Sequence, residues 1–292
     1  MKCKAALHLF FLFTPTLFAV PGPDLRRSCA PFVSGDGFRA YADHAHDELT
    51  TLEPADVQPN HTIFVKTDKL EDFFCNIHPH IQHPYILISH NSDNQAPGAF
   101  ASFLNDPRIL AWFAQNYDGT PHPKMHPIPI GIANYMWTHG NPEVLKRVQT
   151  KHLEKRYLCY LNIDISTYPQ ERFPLFKYLS QTSFCHRTRK LDFEKFLQHI
   201  AMSKFMVSPR GNGLDTHRLW ESLYMGTIPI VKSSSLDSLY SDLPVFIVSD
   251  WISVTESTLD FIYHDFAGKI FSLEKLSMDY WTRLIDSYKT SP

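Results

Sequence analysis

The stretch SKFMVSPRGNGLDTHRLWESLYMGTIPIV, Ser203 to Val231, decides how the whole chain is read. Phe205-Met206-Val207 is an unbroken apolar run, as expected of a strand covered on both faces. It enters the loop Ser208-Pro209-Arg210-Gly211-Asn212-Gly213, whose glycines let the backbone come close to a bound group. A helix is expected from Thr216 to Met225, capped by Asp215 and stopped at Gly226. Thr227 to Val231 then returns as the next strand. Strand, loop, helix and strand in that order predict a parallel α/β sheet.

The same stretch concentrates ligand-binding chemistry. A helix start offers unpaired amides to an anion, and Arg210 and Arg218 add forked donors that match phosphate. Arg218 and Glu221 lie three apart and share a helix face, where a carboxylate suits a ribose diol. Gly211, Asn212, Gly213, Asp215 and His217 complete the cluster. Taken alone, Ser-Pro-Arg-Gly-Asn-Gly is equally an ordinary polar turn, and the residues give both readings similar weight.

Outward from this segment the α/β alternation continues. Thr62–Val65, Tyr85–Ser89, Met125–Ile130, Tyr157–Ile163 and Val245–Val248 read as buried strands. Helix starts fall at Asp106-Pro107, before Arg108–Phe113, at Asn141-Pro142, before Glu143–Val148, and at Asp192, before Phe193–Met202. Pro169–Leu179 and Met278–Tyr288 also read as helices. Asn162 and Arg172 follow the Tyr157–Ile163 strand, within reach of the Arg218 cluster, and read as ligand contacts.

The Ser203–Val231 segment resembles the C-terminal signature of exostosin-like glycosyltransferases, the family 47 type. Ser203, Phe205, Pro209, Gly211, Arg218, Glu221, Gly226 and Pro229 occupy the signature positions, while Met206 and Val207 stand where that family usually has a cysteine. Fucosyltransferase-like enzymes of the same architecture share a similar helix-glycine-proline ending. The resemblance implies an α/β fold of two Rossmann-like domains facing across a cleft (GT-B), with a reduced N-terminal domain. It further implies a nucleotide-sugar donor held by the C-terminal domain, with Arg210, Arg218 and Glu221 on its diphosphate and ribose. The implied acceptor is a glycan or glycoconjugate hydroxyl, with no cofactor and no metal. There is no Asp-x-Asp motif in the chain.

If the reaction inverts the anomeric centre, the acceptor hydroxyl needs a base. Asp36, in the turn Ser34–Arg39, and His90 and Asp93, in Ser89–Asn94, are the candidates. Turn formation is the alternative job for each. Two His-x-His pairs, His44/His46 and His78/His80, raise a metal-dependent hydrolase as a rival. Ala42–Leu49 reads as a helix, however, which points His44 and His46 apart. A non-catalytic nucleotide- or glycan-binding homologue is the other alternative.

A net charge of −2 gives no electrostatic case for a nucleic-acid partner. Lys2 and Lys4 before the apolar run Ala5–Val20 read as a signal peptide or signal anchor over residues 1–22. That places the protein in the secretory pathway or outside the cytosol, with membrane anchoring open. The expected domains are then 23–150, on the acceptor side, and 151–292, which binds the donor and ends in a helix free to pack back on the first domain. No CxxC spacing occurs, and Cys159 reads as a buried thiol.

Overall fold

A computed structural model describes residues 26–289; residues 1–22, expected to be a signal peptide or signal anchor, lie outside the described residues. Two five-stranded sheets, each wholly parallel, organise the chain. The first runs in simple order through β1 (His44–His46), β2 (His61–Lys66), β3 (Tyr85–His90), β4 (Ile109–Ala114) and β5 (Met125–Pro127). The second holds β6 (Tyr157–Leu161), β7 (Cys185–Arg187), β8 (Ser203–Val207), β9 (Ile228–Lys232) and β10 (Phe246–Val248), in the order β10-β9-β8-β6-β7. Its winding reverses between β6 and β8, and open α/β sheets bind ligands beyond the carboxyl ends of the strands at such a switch point.

Alternation along the first sheet separates two cores. Ile63, Val65, Tyr85, Leu87 and Trp112 face the strand connections, including α2 (Leu70–Asp72) and the helical turn Phe73–Ile77 that continues it. These connections carry only short helical turns in place of long helices. Phe64, Ile86, Ile88 and Phe113 face the other way, onto Phe38 of α1 (Gly35–Tyr41) and Met278, Trp281 and Ile285 of α8 (Met278–Asp286). Leu219, Trp220 and Leu223 of α6 (His217–Tyr224) join the same cluster. The two sheets therefore share one apolar core.

The second sheet is covered on both faces. α4 (Pro169–Leu179) and α7 (Glu256–Ala267) lie on one side, and α3 (Pro142–Gln149) and α5 (Phe193–Ala201) on the other. Leu145 and Val148 of α3 pack with Leu197 and Ile200, so a boundary at 150 cuts α3 from the sheet it covers. Together the two units form a two-domain α/β architecture, each domain built on its own parallel sheet.

Several expected elements differ. Arg108–Phe113 is strand and not helix: the Asp106 carboxylate accepts from the Arg108 amide at 2.8 Å, and the apolar run Ile109–Ala114 is buried on both faces of the sheet. Short apolar runs are ambiguous between helix and buried strand, and here tertiary burial decides. Ala42–Leu49 is likewise no helix, because His44–His46 pairs with Ile63–Val65 and Asp47 closes a turn onto the Leu49 and Thr50 amides. Strand β7 carries no periodic signal in its three residues. Asn141 and Asp192 do cap their helices, accepting from Glu143 and Lys195 amides.

Candidate functional site

The carboxyl ends of both sheets open onto a cleft of about 890 Å³. Asp93 follows β3, Ile130 follows β5, Asn162 follows β6, Lys190 follows β7 and Gly211–Gly213 follow β8, and all of them line it. A second pocket of about 460 Å³ lies on the side of the first sheet. The two adjoin where they share Asp93, Ile130, His139 and His217. Along the β6–β7 edge the cleft continues into an open hollow through Asn162, Asp164, Lys190 and Arg218.

Helix α6 aims its first turn at the cleft. Its N-cap, Thr216, makes no side-chain cap, so the leading amides stay open to an anion. Arg218 and Glu221 both line the cleft. The Arg218 Nε is buried without a hydrogen-bond partner, and burial lowers the affinity of its guanidinium for the proton. Burial also pushes the Glu221 carboxyl up to about 7, which the neighbouring Arg218 only partly offsets. A buried donor without an acceptor and a buried carboxylate are costly, and such perturbed groups concentrate at functional sites.

Other residues of the segment do different work. Arg210 turns away from the cleft: its guanidinium stacks 4.3 Å over the Tyr168 ring and donates to the Asn212 carbonyl at 3.1 Å. Arg172 is buried and spends its donors on backbone, on Arg210 O at 2.8 Å, Asp164 O at 2.7 Å and Pro209 O at 3.2 Å. It braces the loop, and burial lowers its pKa to about 10. Asn162 reaches the cleft, but its amide donates to Thr188 Oγ1 and the Arg189 carbonyl. Arg210 thus falls outside the cleft lining, whereas Arg172 lines the cleft with its donors bonded to backbone carbonyls.

Asp215 is corrected in the same sense. It neither caps α6 nor faces a ligand with a free oxygen. Its carboxylate accepts from the Ile130 amide at 2.8 Å, the Trp220 indole at 2.8 Å and the Thr216 amide at 2.9 Å. Its own amide donates to Asn116 Oδ1 at 2.8 Å, so the residue ties the second unit to the first. Burial outweighs these donors and raises its pKa to about 6. Gly213 serves the same junction, since a Cβ there would lie 2.8 Å from Asn116 Nδ2 and 3.2 Å from Asp93 Oδ1. Gly211 and Asn212 line the cleft directly.

Among the base candidates, two are excluded by geometry. His90 is buried with both ring nitrogens engaged, Nδ1 accepting from the Asn91 amide at 2.7 Å and Nε2 donating to the Pro129 carbonyl at 3.0 Å. Burial takes its pKa down to about 4. Asp36 is wholly buried, bonded to Arg26 at 2.9 Å and Asn91 at 3.0 Å. Asp93 alone is exposed, at the mouth shared by the cleft and the second pocket.

His217, which the sequence places with the donor contacts, stands at that same mouth, and its Nδ1–H donates to the Gly131 carbonyl at 2.8 Å. Lys190, His139 and Trp137 were missed. Lys190 follows the unsignalled strand β7, and His139 and Trp137 sit in an aperiodic loop. Trp137 is 50% exposed in the second pocket, a flat apolar face of the kind that stacks on a sugar ring.

The His-x-His pairs do not converge. His44 faces His61, His46 faces Asp72, and His78 sits between Tyr85 and Asp106. Among the described residues no group of three or more His, Cys, Asp or Glu side chains is placed to hold a metal ion. Cys29, Cys75, Cys159 and Cys185 are all free thiols, and Cys159 is buried.

No protein-family model matches the chain, and no curated protein matches it. Solved structures do align with it. An alpha,alpha-trehalose-phosphate synthase (UDP-forming) of Burkholderia vietnamiensis aligns at 11% identity and TM-score 0.47, over 81% of this chain and 73% of that one. The alpha,alpha-trehalose 6-phosphate synthase of Burkholderia multivorans aligns at 10% identity and TM-score 0.46, over 80% and 72%. An E. coli trehalose-6-phosphate structure bound with UDP-2-fluoro glucose aligns at 9% identity and TM-score 0.45, over 81% and 74%.

Proposed function

We propose that this protein is a glycosyltransferase that moves a sugar from a nucleotide-sugar donor to a glycan or glycoconjugate hydroxyl. The observation that carries the reading is the pair Arg218 and Glu221 on α6, both lining the cleft, the Arg218 Nε without a hydrogen-bond partner and the Glu221 carboxyl buried. A nucleoside diphosphate satisfies both demands. Its phosphates take the Arg218 guanidinium, the open amides of α6 and Lys190, and its ribose hydroxyls donate to Glu221. The switch point between β6 and β8 is where such a ligand belongs.

The acceptor lies in the adjoining pocket. Asn91, Asn134, Glu48 and Lys66 offer donors and acceptors to sugar hydroxyls there, and Trp137 offers a stacking face. Departure of the diphosphate is assisted by helix amides and cations, which needs no divalent ion. The match of Ser203, Pro209, Gly211, Arg218, Glu221 and Pro229 to the exostosin-like signature supports that family, and the apolar N-terminal run supports action in a secretory lumen.

The test is calorimetry with a panel of UDP- and GDP-sugars in chelator, followed by nucleotide release with mixed oligosaccharide acceptors. Chelator-resistant binding and release support the reading. Binding of none of the panel by the wild-type chain overturns it.

A further inference from the structure

We infer that His217 is the proton acceptor for the attacking hydroxyl. The inference rests on the donor reading above and deepens it. His217 lines both the donor cleft and the acceptor pocket, so its ring stands where the two substrates must meet. The Nδ1–H bond to the Gly131 carbonyl fixes the tautomer and leaves the Nε2 lone pair unassigned. A base oriented by a third group is the arrangement that general-base catalysis requires.

The neighbours at this junction lack that fixing. His139, whose ring centroid lies 6.2 Å from that of His217, is exposed and holds no ring hydrogen bond among the described residues. Asp93 is exposed on a loop. His217, by contrast, sits on the first turn of α6, the helix that also carries Arg218 and Glu221. Donor and base are therefore held by one rigid element.

The step balances as a single displacement. The acceptor oxygen bonds to the anomeric carbon as the carbon–oxygen bond to the diphosphate breaks, and the diphosphate leaves with that electron pair. The hydroxyl proton passes to Nε2 and is later released to water. The anomeric centre inverts. Charge moves favourably, because the imidazolium forms beside a diphosphate that has gained negative charge.

In the ligand-free protein burial lowers the His217 pKa to about 4, with His139, His90 and Arg218 acting in the same direction. Asp93 is the carboxylate that lines both pockets with it. A bound diphosphate opposes these effects and moves the pKa upward, toward the range useful to a base.

The experiment uses the full chain and the nucleotide-sugar that the wild type binds best. In His217→Asn the amide nitrogen keeps the donation to Gly131 while the base is lost. Donor affinity and unfolding midpoint should stay at wild-type values, kcat should fall about 10²- to 10⁴-fold, and the acid limb of the pH profile should vanish. His217→Asn with kcat within about threefold of wild type, or with the limb intact, overturns the inference. So does loss of that limb in Asp93→Asn with His217→Asn unaffected. Failure of the wild type to bind any nucleotide-sugar instead overturns the donor reading itself, so the two failures are distinct.

Discussion

The His217 imidazole donates from Nδ1 to the Gly131 carbonyl at 2.8 Å, across the junction between the two sheets. Two residues earlier, Asp215 receives the Ile130 amide at 2.8 Å. The segment that lines the cleft is therefore also a segment that holds the second unit on the first. The proposed donor contacts and the inter-unit bonds fall in the same nine residues, Gly213 to Glu221.

This double use separates the two arginines. Arg218→Ala should weaken nucleotide-sugar binding at least about thirtyfold, the loss of roughly 2 kcal/mol from a buried charged hydrogen bond. Arg210→Ala should leave affinity within about threefold, because its guanidinium stacks on Tyr168 outside the cleft. Calorimetry on both variants checks the ordering, and equal losses would contradict it.

Glu221 gives a pH signature. Its folded pKa, about 7, lies above its ordinary value of 4.5, so the fold favours the protonated form. Its contribution is fully present below about pH 4.5, is lost as pH rises through 7, and leaves a constant ionisation penalty above that. Glu221→Gln removes the penalty. We expect the variant to be more stable than wild type at pH 8 by on the order of 1–3 kcal/mol, to differ little at pH 4.5, and to lose nucleotide binding. Urea unfolding at the two pH values measures this.

Asp215→Ala should cost about 3 kcal/mol or more, because the Ile130 amide, the Thr216 amide and the Trp220 indole would all be left buried without acceptors. A midpoint shift in urea unfolding reads it. An unchanged midpoint would mean that the junction is held by the apolar core alone.

The shared core of Phe38, Phe113, Trp220, Leu239 and Trp281 also bears on motion. Units joined through a continuous apolar core resist hinge opening, whereas units with a small polar interface move freely. Small-angle scattering should give the same radius of gyration with and without saturating donor. A clear contraction on binding would show that the core yields.

The sequence by itself determined what local pattern can encode. Unbroken apolar runs named β3, β6, β8 and β9, cap residues named α3 and α5, and the glycine loop from Ser208 to Gly213 marked a strand-to-helix turn. Arg218 and Glu221 were legible because a three-residue spacing on a helix forces a shared face. What only the tertiary structure decided was where each side chain spends its hydrogen bonds. Arg210, Arg172, Asp215 and His90 have the residue types of a binding site, yet carbonyls, amides and rings from distant elements claim them. Ile109–Ala114 became a strand for the same reason, since burial between two layers outranks a favourable cap. His217 was visible as a residue, but its role at the junction depends on Gly131, a neighbour 86 positions away. Spacing along the chain fixes faces; only the folded chain fixes partners.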